Sequence, residues 1–439
     1  MKTYSNLHVE RIILVGFLSL ISTGALLIWI FNIYASMPIS FIDALFTSAS
    51  AVCVTGLIVV DTGSELAKAS QLTVLTLIQL GGLGVMTAAT TLLLLFRQKV
   101  GIRQRILFTG GLGIDTPAGA VRLLLKILKL TIFIELLGAI PLFFGFYTGS
   151  DVPRALYLAV FHSISAFCNA GFSLFSSSLE SFSNTYLVPG VIMLLIFLGG
   201  IGFLPLTNIF HKLLGKENLN FHTRFVLLIS FQLILLGVLV ISVFEWNGAL
   251  SGLERGLKFW NSLFQSVTPR TAGFNTLTIS SFSSVGIFLL SFLMIIGASP
   301  GSTGGGVKTA TFGVLILSAV NYLSGKRSTV FWNRSFTNET ILRALTIFLL
   351  YLGTIFFSVI LLSYTEDFTF QELIFEIISA LGTVGLSMGI TSGLSSAGKI
   401  ILIILMFWGR VGILTMIYSM MGGKKAERVS FAEITIPTG

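Results

Sequence analysis

Long apolar runs alternate with short mixed segments along the whole chain. A helix crosses about 30 Å of hydrocarbon in about 20 residues, at 1.5 Å per residue. The runs at 12–30, 72–96, 123–146, 187–206, 225–244, 341–362 and 400–421 reach that length and predict an all-α polytopic membrane protein. The segments between them are too short and too mildly apolar to cross, yet several carry a helical period of their own. One further region, 282–323, is apolar at both ends and interrupted by GASPGSTGGGVK at 297–308. As a single helix it would span roughly 60 Å, twice the hydrocarbon thickness. It must break, and the five glycines and one proline of 297–306 mark the place.

The short segments repeat. ALFTSASAVCVTGL at 44–57, AVFHSISAFCNAGF at 159–172, NSLFQSVTPRTAGF at 261–274 and LIFEIISALGTVGL at 373–386 fit one frame without gaps. Each is a short helical pattern that ends at an aligned glycine, namely Gly56, Gly171, Gly273 and Gly385, followed by Leu or Phe. The chain therefore reads as four pore repeats: 1–100, 101–215, 216–327 with a gating loop at 297–306, and 328–439 with a cytoplasmic C-terminal tail. Each repeat is a helix, a re-entrant pore helix with a filter loop, and a second helix. Non-helical backbone at membrane depth survives only where protein or a water-filled cavity satisfies its polar groups. Glycine lets the backbone turn its carbonyls inward. Four such turns around one central pore predict rings of oxygen able to replace an ion's hydration shell.

Composition agrees with the pattern: 54% of residues are hydrophobic and 10% are charged, and the mean hydropathy is +0.94, far from a soluble domain. No cleavable signal peptide is expected, because the first apolar run is long and lacks a small-residue cleavage site. The net charge of +9 does not point to nucleic acid, because the Lys and Arg residues gather between particular spans. One cluster holds Arg97, Lys99, Arg103, Arg105, Arg122, Lys126 and Lys129; others are Lys212, Lys216 and Arg224, and Lys326, Arg327, Arg334 and Arg343. Basic loops stay cytoplasmic, so both termini are expected inside. The intervening segments are acidic, with Asp43, Asp61, Glu65, Asp151, Glu180, Glu245, Glu254, Glu366, Asp367, Glu372 and Glu376. An acidic outer face raises the local concentration of cations.

Cys53, Cys168 and four scattered histidines predict neither a disulfide framework nor a metal cluster. The run ending in Lys308-Thr309 does not match a phosphate-binding loop, and no strand precedes it. Without a nucleophile beside a base, the chain is not expected to be an enzyme.

The second spans share LIQLGGLGVMT at 77–87, LIFLGGIGFLP at 195–205 and LMFWGRVGILT at 405–415, with Gly82, Gly200 and Arg410 at equivalent places. Small residues let helices approach closely. An arginine in mid-span costs roughly 3 kcal/mol on insertion scales, so it faces a bundle interior or an aqueous cavity. Two partners for Arg410 stay open: the pore, or Glu135 within TIFIELLGAI at 131–140.

The motifs VCVTGL (52–57), HSISAFCNAGF (162–172), TPRTAGFN (268–275), GSTGGGVKT (301–309) and GTVGLSMG (382–389) occur in that order. On them, the chain resembles the membrane subunit of a Ktr-type potassium transporter, in the Trk/Ktr/HKT superfamily, over essentially its whole length. The resemblance implies potassium uptake across the cell (plasma) membrane, stimulated by sodium as activator and without a covalent cofactor. It also implies a homodimer with one pore per protomer, set in membrane lipid, and a cytosolic nucleotide-binding regulatory ring. Potassium-binding filter residues would be Val54, Thr55 and Gly56; Asn169, Ala170 and Gly171; Thr271, Ala272 and Gly273; and Thr383, Val384 and Gly385. The gate would be Gly297, Ala298, Ser299, Pro300, Gly301, Ser302, Thr303, Gly304, Gly305 and Gly306, with Lys308 and Arg410 adding positive charge on its cytoplasmic side. An ion-coupled symporter of potassium or sodium is the alternative, although such symporters usually show inverted halves rather than parallel repeats.

Overall fold

The computed structural model describes residues 3–84, 120–326, 328–413, 415 and 416, with side chains from residue 13 in the first helix and residue 121 in the fourth. The described residues form fourteen α-helices. These are α1 (Thr3–Tyr34), α2 (Phe41–Cys53), α3 (Lys68–Leu83), α4 (Ala120–Phe146), α5 (Val152–Phe167), α6 (Leu187–Gly200), α7 (Phe203–Leu213) and α8 (Phe221–Phe244). They continue with α9 (Arg255–Val267), α10 (Ser284–Ile295), α11 (Thr309–Leu323), α12 (Asn338–Thr365), α13 (Phe370–Gly382) and α14 (Ser396–Val411). A two-stranded turn pairs Val330–Phe331 with Arg334–Ser335.

Helices α1, α4, α8 and α12 are long and apolar enough to cross a membrane, matching the apolar runs at 12–30, 123–146, 225–244 and 341–362. The other runs behave differently. The run at 187–206 is broken rather than straight: α6 and α7 meet at 108°. Gly202 sits at the break with φ 95° and ψ 148°, a conformation reserved for glycine, and Pro205 falls in the first turn of α7, where no N–H is needed. Helix α14 ends in the same way at Gly412 (φ 93°, ψ 128°), and α3 ends at Gly84 (φ 86°, ψ 138°). The remainder of the run at 72–96, the basic residues 97–105 and the C-terminal tail beyond 416 lie outside the described residues.

The helices pack in consecutive groups, each led by a crossing helix: α1–α3, α4–α6, α8–α10 and α12–α14. The third helix of each group also packs on the short helix of the next: α3 on α5, α6 on α9 and α10 on α13. The circle closes where α14 packs on α2, and there Lys399 Nζ lies 2.7 Å from Asp43 Oδ1.

Polar contacts fix the short helices against the long ones. Ser48 donates to the Ile21 carbonyl at 2.7 Å, Ser163 to that of Glu135 at 2.6 Å, and Ser266 to that of Ile234 at 2.7 Å. Opposite these serines stand Gly24, Gly138 and Gly237, where any Cβ would crowd the serine oxygen. The ends of the long helices then hold the start of the third helix. The Glu245 carboxylate accepts from the Ser283 N–H (3.1 Å) and hydroxyl (2.5 Å). Glu366 does the same for Ser395 at 3.0 and 2.5 Å. In the first group Asn32 takes this place, accepting from the Ala67 N–H (3.1 Å) and the Ser70 hydroxyl (2.6 Å).

Much of the acidic set thus serves the helix termini, whose N–H groups lack intrahelical partners. Asp151 caps α5 and Glu372 completes a capping box with Thr369.

Candidate functional site

The four glycine segments meet. Two residues before each glycine the backbone is left-handed, at Val54 (φ 57°), Asn169 (58°), Thr271 (69°) and Thr383 (50°). The glycines themselves have φ of 89°, 70°, 77° and 93°. The Ala170 carbonyl lies where a Cβ on Gly56 would stand. The Ala272 carbonyl does the same to Gly171, that of Val384 to Gly273, and that of Thr55 to Gly385. The contacts run from the first unit to the fourth and back, so Gly56, Gly171, Gly273 and Gly385 form a closed ring. No other residue fits at these positions without pushing the ring apart.

Hydroxyls at the ends of the short helices hold the turns. Ser50 Oγ accepts from the Gly56 N–H at 3.0 Å, and Ser379 Oγ from the Gly385 N–H at 3.1 Å. The Ser165 hydroxyl donates to the Phe172 carbonyl at 2.8 Å and the Thr268 hydroxyl to that of Phe274 at 2.5 Å. The third unit departs from the ungapped frame. The turn bonds Thr55 N–H to Ser50, Ala170 N–H to Ser165, and Val384 N–H to Ser379 each span five residues. The equivalent bond, Ala272 N–H to Thr268, spans four. One residue is missing between anchor and glycine, so the third short helix is offset by one position against the others.

Residues after the glycines line a cavity of about 260 Å³, with Ser173, Ser177, Glu180, Asn275 and Ser387 on its walls. Nearby, Asp61 accepts from the Gly63 N–H at 2.8 Å and the Ser64 N–H at 3.3 Å. Burial pushes the Asp61 carboxyl up, but the Ser176 hydroxyl with the Gly63 and Ser64 groups outweighs it and holds the carboxyl below the usual range.

The interrupting loop packs on the other side, against residues that precede the glycines. Gly305 N–H donates to Thr383 Oγ1 at 3.0 Å, and the Thr303 hydroxyl to the Phe167 carbonyl at 3.4 Å. A Cβ on Gly304 would overlap Thr271 Oγ1. Loop and broken helix hold each other, with Ser299 N–H on the Gly200 carbonyl and Phe203 N–H on the Gly301 carbonyl, both at 2.9 Å. The loop's ends meet in a parallel bridge between Ile296 and Val307. Ala298, Ser299 and Thr303 are fully buried.

Lys308 Nζ donates to the Gly304 carbonyl at 2.6 Å and the Gly305 carbonyl at 3.3 Å, beside a cavity of about 730 Å³ that Arg343, Tyr351 and Trp408 also line. Arg410 donates to the carbonyls of Thr303 and Gly81, and to that of Gly82 at 3.2 Å. Glu135 lies instead against Gln79 (3.4 Å) and Cys168 (3.9 Å). Of the two partners open for Arg410, Glu135 is not taken, and the guanidinium lies on backbone carbonyls of the loop and of α3. Sequence reasoning brought the twelve ring residues and the loop to attention but missed the breaks at Gly84, Gly202 and Gly412. Their signal is the third glycine in LGGLG and LGGIG and the second glycine of GRVG.

Comparison with known proteins gives the family and the fold. The family model described as TrkH, cation transport protein, matches residues 8–421. The chain is 39% identical to the Ktr system potassium uptake protein B of Bacillus subtilis over 411 residues, covering 93% of this chain and 92% of that one. It is 35% identical to the potassium/sodium uptake protein NtpJ of Enterococcus hirae over 422 residues, covering 94% and 92%. The crystal structure of the potassium transporter TrkH from Vibrio parahaemolyticus has the same fold, with a TM-score of 0.76 over 94% of this chain and 84% of that one, at 22% identity. The chain belongs to the TrkH family of cation transport proteins. It is a multi-pass membrane protein, and the Ktr-type resemblance carried by its glycine motifs holds.

Proposed function

We propose that the protein takes up potassium through the glycine ring, which acts as a channel-like selectivity filter. The observation that carries this reading is the cyclic contact of each ring glycine with the carbonyl that precedes the next. Oxygens held at fixed spacing around an axis replace water around a dehydrated cation. The four units, 1–100, 101–215, 216–327 and 328–439, are then pore repeats, and α2, α5, α9 and α13 are their re-entrant pore helices. Val54, Thr55, Asn169, Ala170, Thr271, Ala272, Thr383 and Val384 supply the carbonyls beside the glycines.

The loop 297–306 is the gate on the cytoplasmic side, a reading supported by its contacts with Thr271, Thr383 and Phe167, which precede the ring glycines. Lys308 and Arg410 hold it by its own carbonyls and add a cationic barrier. The protein works in the plasma membrane as a homodimer with both termini cytoplasmic. A cytosolic nucleotide-binding regulatory subunit moves the loop, and sodium stimulates uptake. Relatives named for Ktr potassium uptake and for potassium/sodium uptake support these last points.

The test is flux in liposomes of purified protein under a potassium gradient alone. A channel-like pore carries potassium in either direction as the gradient is reversed, without sodium or protons moving in step. Obligatory co-movement of a second ion contradicts the proposal.

A further inference from the structure

Behind the ring, three of the short helices carry a buried polar side chain that faces the limb of chain leaving the glycine. Glu376 on α13 accepts from the Ser387 hydroxyl and, at 3.1 Å, from the Thr391 hydroxyl. His162 on α5 lies 3.0 Å from Ser173 Oγ and takes the Leu174 N–H at 3.4 Å, while its other nitrogen meets the Leu158 carbonyl at 2.8 Å. That carbonyl can only accept, so Nδ1 carries the proton and Nε2 accepts. On α9, Gln265 turns its amide oxygen, in the orientation its neighbours dictate, to the N–H groups of Thr276 (3.3 Å) and Leu277 (3.2 Å).

Once the third unit's missing residue is allowed for, these three side chains occupy one equivalent position. All three have no exposed surface. The first unit differs: Thr47 bonds back to the Asp43 carbonyl of its own helix at 2.8 Å.

We infer that His162, Gln265 and Glu376 are positioning residues that hold the outer limbs of the ring and so set its cation discrimination. This rests on reading the ring as a selectivity filter. The hydroxyl anchors hold the glycine and the residue after it, and a buried acceptor that ties the limb beyond them to the short helix fixes where the glycine carbonyls stand. Burying a polar side chain costs free energy unless it is hydrogen-bonded, and each of these three is bonded to the limb. Simple core filling is met better by leucine. Oε1 of Glu376 receives both limb hydroxyls, and an isosteric amide supplies the same acceptor oxygen.

The experiment compares potassium and sodium flux in liposomes for Glu376→Ala, Gln265→Leu, Ser387→Ala, Glu376→Gln and Thr47→Ala. Gly273→Asp serves as the filter control. Ser387 is only part-buried, so its variant removes one partner without disturbing the helix core. The expected result is a fall of about tenfold in potassium-over-sodium discrimination for the first three, the size of one lost hydrogen bond to a charged or buried group. Glu376→Gln keeps the wild-type ratio, and Thr47→Ala leaves it unmoved. Unchanged discrimination in folded Glu376→Ala and Ser387→Ala, with Gly273→Asp losing it, overturns the positioning role and leaves the filter reading intact. Unchanged discrimination in Gly273→Asp overturns both.

Discussion

Arg410 donates to the main-chain carbonyl of Thr303, tying α14 to the middle of the interrupting loop. The same guanidinium reaches the carbonyls at the end of α3. One side chain therefore joins the first unit, the loop and the fourth unit. The planar fork of arginine suits this, since its donors diverge to several acceptors at once.

Removing the fork should free the loop. Charge-assisted hydrogen bonds contribute about 1.5–3 kcal/mol each, so Arg410→Ala is expected to raise basal potassium flux by about tenfold or more. Arg410→Lys should fall between, because one ammonium cannot serve three carbonyls in that geometry. Flux into liposomes without any regulatory subunit measures both. Wild-type flux in folded Arg410→Ala would remove the residue from the gate.

The break at Gly202 should be equally sensitive. Its backbone angles are essentially confined to glycine, and an added Cβ would stand 2.6 Å from the Pro300 carbonyl. Strain of this kind costs on the order of 1–3 kcal/mol. Gly202→Ala should lower the unfolding temperature and raise basal flux, since the Phe203 N–H to Gly301 contact is displaced with it. An unaltered unfolding temperature would mean the break is not held as described.

Lys399 and Asp43 close the circle between the last unit and the first. Their side chains are only 13% and 21% exposed, so removing one partner strands the other in a poorly solvated place. Lys399→Ala is expected to destabilise by roughly 1–3 kcal/mol, and the double variant with Asp43→Asn by less than the sum of the two. Additive effects in the thermal melts would argue that the pair contributes nothing.

Asp61 gives a pH dependence. Its carboxyl is held below its unfolded value, so it contributes stability above the unfolded pKa and loses it as pH falls through the lowered folded pKa. Asp61→Asn should therefore melt at lower temperature than wild type at neutral pH. The difference should shrink as the pH is taken into the acid range. A gap that persists in acid would assign the effect to something other than the charge.

The four glycine motifs were legible because composition and spacing repeat at the same point between apolar runs. The loop was legible because its flanks together exceed a bilayer. What escaped was everything set by contact. A one-residue deletion before Gly273 leaves the helical pattern of NSLFQSV almost untouched, so the ungapped frame looked sound. The hydrophobic run at 187–206 signals a turn only through Gly202 and Pro205 at its end, and the loop docked against it holds the bend. Glu245 and Glu366 read as an outward charged face because sequence gives sign and position, not partners. Their partners are the serines at the start of the third helix of the same group.

The proposed pore is a potassium-selecting ring closed from inside by the loop 297–306. The most direct measurement is potassium and sodium flux, side by side, through purified protein carrying a deletion within 299–305. The prediction is potassium flux several-fold above wild type with no regulatory subunit present, at wild-type discrimination against sodium. Folded protein whose flux is unchanged or lost would make the loop a structural linker, and high flux without discrimination would take selectivity away from the ring.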